Sequence, residues 1–97
     1  MSYMKDIQVR QLPSLNAQDL GRAFRAERKA QGKSQAGIAA QIGTKRQTIV
    51  ALEAGRNVGL YTVFAALAAL GKGLLIADPR AELDRLDEYF GDEDERA

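Results

Sequence analysis

The chain contains no cysteine, no histidine and no tryptophan, and only two prolines among its 97 residues. Without cysteine there is neither a disulfide framework nor a thiolate nucleophile, and without histidine there is no imidazole base. The same absences remove the usual ligands of a zinc site. Carboxylates gather near the C-terminal end, in a stretch with little to hold them in the fixed geometry that catalysis needs. An enzyme is therefore not expected, and neither a metal nor a cofactor is implied. Long apolar runs are also missing. Nothing approaches the roughly 20 consecutive apolar residues of a membrane-spanning helix, and the opening MSYMKDIQVR has no signal-like core. The expected location is cytoplasmic.

What is present is an uneven charge. The formal net charge is only +1, but residues 20–57 carry eight basic side chains against two acids, a balance of +6. Residues 78–97 carry nine acids against three basic side chains, a balance of −6. A basic half points to an anionic partner, although a basic run is by default a solvated face. Apolar residues make up 45% of the chain, but many are alanines, which bury little area each. A single small domain of this kind gains from sharing a core with a second copy.

Helical punctuation dominates the middle of the chain. Asn16 is placed to cap a helix running to about residue 31, with Leu20, Ala23, Phe24, Glu27, Arg28 and Gln31 sharing one face and Gly32 as its stop. Ser34 caps a short helix over residues 35–42, with Ile38, Ala39 and Ile42 inward and Gly43 at its end. Thr44 is placed to cap a third, from residue 45 to about 54, with Ile49 and Leu52 inward and Gly55 closing it. A fourth, over residues 60–70, puts Val63, Phe64, Leu67 and Leu70 on one side and stops at Gly71. Tyr61, like Tyr3 and Tyr89, reads as an ordinary packing residue. After Gly73, the run LLIAD has strand length and ends at Pro79, and residues 7–10 give a weaker strand signal. A lone strand needs a partner for its backbone groups, either in this chain or in a second copy. Asp78 and Pro79 open a last helix with Leu83, Leu86 and Phe90 as a narrow stripe, and the acidic end reads as disordered. The expected organisation is an arm over residues 1–15, a helical domain with its strand over 16–78, and an acidic helix and tail over 79–97.

Two short helices joined through a glycine turn, the second beginning with Lys45, Arg46 and Gln47, describe a helix-turn-helix unit. Such a unit needs small residues where its helices meet, and Ala39, Gly43 and Ile49 supply them. The DNA major groove admits one α-helix, whose N-terminal residues reach base edges. The pieces SQ, A, IG, RQTI and LE-x-G within residues 20–71 resemble the Cro/C1 (Xre) helix-turn-helix family. The continuation EAGRNVGLYTVFAALAALGKGLLIAD is similar to HipB-type antitoxins.

That resemblance implies an all-α, lambda-repressor-like domain of four to five helices with a short dimerising β-strand. It implies a homodimeric, sequence-specific repressor of a pseudopalindromic double-stranded DNA operator, associated with the nucleoid when bound. It further implies an antitoxin that neutralises a HipA-like kinase toxin and represses its own operon. Carried over by position, Gln35 binds a phosphate from a helix start, and Lys45, Arg46, Gln47 and Ala51 face the groove. Thr48 sits near the DNA backbone. Arg28 and Glu53 match an internal salt bridge, and Leu74, Leu75 and Ile76 match the dimerising strand. Two positions depart from the pattern. Gly37 stands inside the second helix where an acid is common, and Lys33 stands at a place usually filled by a buried leucine. Lys33 is then a further phosphate contact or a snorkelling stem. A stand-alone or phage-like repressor without a toxin, and an interaction adaptor that does not bind DNA, remain as alternatives.

Overall fold

Four helices occupy residues 12–79, the part of the chain that the computed structural model describes: α1 (Ala17–Ala30), α2 (Gln35–Ile42), α3 (Arg46–Glu53) and α4 (Leu60–Ala69). The expectations for residues 7–10, for Leu83, Leu86 and Phe90, and for the acidic end lie outside the described residues. The chain divides into two units. One, Ser14–Leu75, contains all four helices; of the other, only residues 12–13 and 76–79 are described. The architecture is all-α, as the punctuation implied. No helix among the described residues is long and apolar enough to cross a membrane.

The first two helices begin where a side chain can take up a free backbone amide. The Asn16 side chain accepts from the Asp19 N–H at 2.7 Å, and the Asp19 carboxylate in turn accepts from the Leu15 N–H at 3.1 Å. This reciprocal arrangement satisfies two orphan donors at once. The Ser34 hydroxyl accepts from the Gly37 N–H at 2.8 Å and so caps α2. Gly37 therefore sits in the first turn, on the cap, rather than deep in the helix where glycine is most costly. The four glycine stops, Gly32, Gly43, Gly55 and Gly71, all have positive φ. Gly43, at φ 75°, turns the chain from α2 toward α3 while the Thr44 N–H reaches back to the Ala39 carbonyl at 2.9 Å.

Packing follows from small residues at the crossings. α2 lies against both α3 and α4, and α1 lies against α3. The core is formed by Phe24, Ile38, Ala39, Ile49, Leu52, Val63, Ala66, Leu67, Ala69 and Leu70. Gly21 is what lets α1 approach α3. A Cβ at that position would lie 2.5 Å from the Glu53 carbonyl oxygen and 2.6 Å from that of Leu52. The C-terminal end of α4 is tied to the start of the domain. The Gln31 amide donates to the Leu70 carbonyl at 2.8 Å, and the Lys33 ammonium donates to the Ala69 carbonyl at 2.9 Å. A cation at a helix C-terminus is favoured by the free carbonyls and the helix dipole. Lys33, an exposed residue, thus has its ammonium bound to the carbonyl end of α4, where the alternatives from sequence are a phosphate contact and a snorkelling stem.

No strand occurs among the described residues, where residues 72–78 have no regular structure. The partners expected for a strand around Leu74, Leu75 and Ile76, residues 7–10 or a second copy, lie outside the described residues. Several other expectations are corrected. Thr44 does not cap α3: the helix begins at Arg46, and Lys45, in extended conformation, takes the N-cap position without a side-chain cap. On α4, Val63, Leu67 and Leu70 are buried as expected, but Phe64 is exposed and Ala66 takes a buried place instead. Tyr61, read as a packing residue, is 92% exposed. On α1, Ala23 is exposed, and the buried stripe runs through Gly21, Phe24 and Arg28.

Replacing Gly21 with alanine should force the α1 and α3 backbones apart. We expect a loss of about 1–3 kcal/mol, typical of overpacking at a tight contact, read as a lower urea midpoint.

Candidate nucleic-acid interface

The site is organised around one carboxylate. Glu53, the last residue of α3, is 5% exposed, and the Arg28 side chain opposite it is 9% exposed. Arg28 meets the carboxylate with two donors, Nε to Oε2 at 2.6 Å and Nη2 to Oε1 at 3.1 Å. Such a fork-to-fork pair fixes direction as well as distance. The remaining terminal nitrogen of Arg28, Nη1, donates to the Lys33 carbonyl at 2.8 Å. Gln35, the first residue of α2, adds a third donor to Glu53, from Nε2 to Oε1 at 3.0 Å. The end of α3 is therefore bound at once to α1, to the α1–α2 turn and to the start of α2. At the rim, the Arg25 Nε stands 3.8 Å from the same Oε1, with its side chain 56% exposed.

With its C-terminal end held this way and its inner face filled by Ile49 and Leu52, α3 offers its other side outward. Lys45, Arg46 and Gln47 are exposed, while Thr48, Val50 and Ala51 are half-buried. Among the described residues, Lys45 and Arg46 make no ion pair, and the first turn of α3 has no side-chain cap. Its leading N–H groups are thus left without a side-chain acceptor beside two free cations, an arrangement that favours anionic oxygens. A helix with a packed inner face and a polar, cationic leading turn is built to enter a groove lined by phosphates. The helix-turn-helix family model matches residues 24–76, more than half of the chain. The chain belongs to the Cro/C1-type helix-turn-helix family. It is a DNA-binding transcription regulator. A comparison with curated proteins returned no match.

In this Xre-type regulator, the nominated residues fall into three groups. Lys45, Arg46, Gln47, Thr48 and Ala51 share α3, with the first three fully open and the last two partly covered. Arg28, Glu53 and Gln35 meet in the buried network. Leu74, Leu75 and Ile76 lie after α4; Leu75 is 86% and Ile76 101% exposed. Gln35 stands at a helix start, with one N–H of its amide nitrogen donated to Glu53. The sequence reading missed three contributors. Gly21 was passed over, although a glycine inside an otherwise strong helix signals a close backbone approach. Arg25 was counted only as part of the basic half. Gln31 has no local signal for its role, since its partner Leu70 is 39 residues away.

Removing either member of the buried pair should leave the other charge without compensation. Arg28→Ala and Glu53→Ala should each lower stability by about 3–5 kcal/mol, measured by urea unfolding. The double variant should lose less than the sum of the two single losses, because no orphaned charge remains.

Proposed function

We propose that this DNA-binding regulator acts as a homodimeric, sequence-specific repressor and as the antitoxin of a HipB-type operon. The observation that carries the reading of DNA is the open leading turn of α3, with Lys45, Arg46 and Gln47 exposed on a helix whose far end is held by Arg28. In this reading Arg46 addresses the O6/N7 edge of guanine and Gln47 the N6/N7 edge of adenine. Lys45 and Ala51 face the major groove beside them, and Thr48 lies near the DNA backbone. Gln35 contacts a phosphate through the α2 N-terminus, with its side-chain nitrogen held by Glu53. A two-fold dimer reads a pseudopalindrome with half-sites about one helical turn apart, roughly 34–36 Å.

Support for the dimer comes from Leu74, Leu75 and Ile76, apolar residues left exposed in one chain. Pairing this segment with the same segment of a second copy would satisfy its backbone groups and cover its side chains. The antitoxin role rests on the resemblance of residues 53–78 to HipB-type proteins, and the partner it implies is a HipA-like kinase toxin. A stand-alone repressor differs from this only in having no such partner.

Arg46→Ala and Gln47→Ala should each relax base preference by about 1–3 kcal/mol at the position read, measured by competition between operator variants. Gln35→Ala should weaken operator and random DNA alike. Ile76→Asp should shift the protein toward monomer in sedimentation and lower operator affinity. A neighbouring kinase-like reading frame whose product co-purifies with this chain supports the antitoxin role, and a solitary gene with no stable partner supports the stand-alone repressor. Absence of any band shift at low salt would return the scaffold to an interaction adaptor.

A further inference from the structure

The carboxylate of Glu53 is claimed more than once. Arg28 takes both of its oxygens, and Gln35 takes Oε1 again. Three donors leave little acceptor capacity on the face where Arg25 stands. The Arg25 Nε is 3.8 Å from Oε1, beyond hydrogen-bond reach. Two guanidinium groups thus share one carboxylate, and the inner one is satisfied. The cluster keeps a charge of +1, carried by the outer, half-exposed Arg25.

Position adds to this. Arg25 Nε and Gln35 Nε2 both approach the same oxygen, so Arg25 stands beside the first residue of α2. Arg22, one turn earlier on α1, is different: its Nη2 is bound to Asp19 at 2.6 Å, away from Glu53. Arg25 is therefore a cation with no hydrogen-bonded counterion, next to the helix start that the proposed function sets against the DNA backbone. Guanidinium is the side chain best matched to two oxygens of one phosphate.

We propose that Arg25 is a DNA-backbone contact that binds a phosphate beside the α2 N-terminus, an inference that rests on the DNA-binding reading above. Arg25 contributes affinity without sequence preference. Neutralising one phosphate releases about 0.9 of a counterion, so its share is read directly from salt dependence.

The test measures operator and random-sequence DNA binding from low to moderate salt for the full chain and for Arg25→Gln, Arg25→Lys and Arg22→Gln. Arg25→Gln should weaken both DNAs by a similar factor and make the slope of log K against log salt shallower by about 0.9. Arg25→Lys should keep the slope. Arg22→Gln should leave the slope closer to that of the unaltered chain, and the urea midpoint of Arg25→Gln should stay near the original, since Glu53 keeps Arg28 and Gln35. An unchanged slope in Arg25→Gln, a loss confined to particular bases, or an equal loss in Arg22→Gln would overturn the proposal. So would a fall in stability as large as that of Arg28→Ala, which would make Arg25 part of the internal network. Failure of the unaltered chain to bind any DNA overturns the underlying reading instead, and is seen before any variant is compared.

Discussion

A single buried carboxylate, that of Glu53, sets the direction of the helix that faces outward. Its oxygens accept from α1 through Arg28 and from α2 through Gln35, while Arg28 also holds the carbonyl at Lys33. A buried ion pair is a weak source of net stability, because desolvating two charges costs about what their attraction returns. Its value here is directional. A bidentate contact at one end and Ile49 and Leu52 along the inner face leave α3 little freedom to rotate or slide. The close approach of α1, which Gly21 permits, is what brings Arg28 within reach.

The charge available for DNA is smaller than a count along the chain implies. Of the cations in the basic half, Arg28 is neutralised by Glu53, Arg22 is paired with Asp19, and Lys33 is bound to the carbonyl end of α4. These are architectural. Lys29, Lys45, Arg46 and Arg56 are exposed and make no ion pair among the described residues. The fold thus sorts one compositional feature into charges that hold the domain together and charges left for a polyanion. The end of α4 illustrates the first class, where Lys33, with the Gln31 amide beside it, takes up the carbonyls of Ala69 and Leu70.

Much of this was legible in the residues. Asn16 and Ser34 marked helix starts because short polar side chains can reach an amide two or three positions on. Gly32, Gly43, Gly55 and Gly71 marked helix ends because each turn needs positive φ. The inward places of Ile38, Ala39, Ile49 and Leu52 followed from helical spacing. Other readings were less successful. Thr44 looked like a cap, but α3 begins at Arg46 and leaves Thr44 one residue before the N-cap position. Phe64 looked buried because α4 is apolar on most sides, so spacing found the core side with Val63, Leu67 and Leu70 but not its edge. LLIAD has the composition of a strand, whose backbone pairing has to come from a partner outside the segment.

The sequence by itself determined where helices start and stop, which family the domain belongs to, and that its second helix-turn-helix segment opens with Lys45, Arg46 and Gln47. Those are local properties, set by capping chemistry, glycine conformation and periodicity. Only the tertiary structure decided how charged and polar side chains are divided between holding and offering. Arg25 and Arg28 are one helical turn apart and alike in sequence, yet one is buried on both oxygens of Glu53 and the other stands half-exposed at its rim. The difference comes from which side of α1 packs on α3, and that contact is a property of packed surfaces and not of either segment alone.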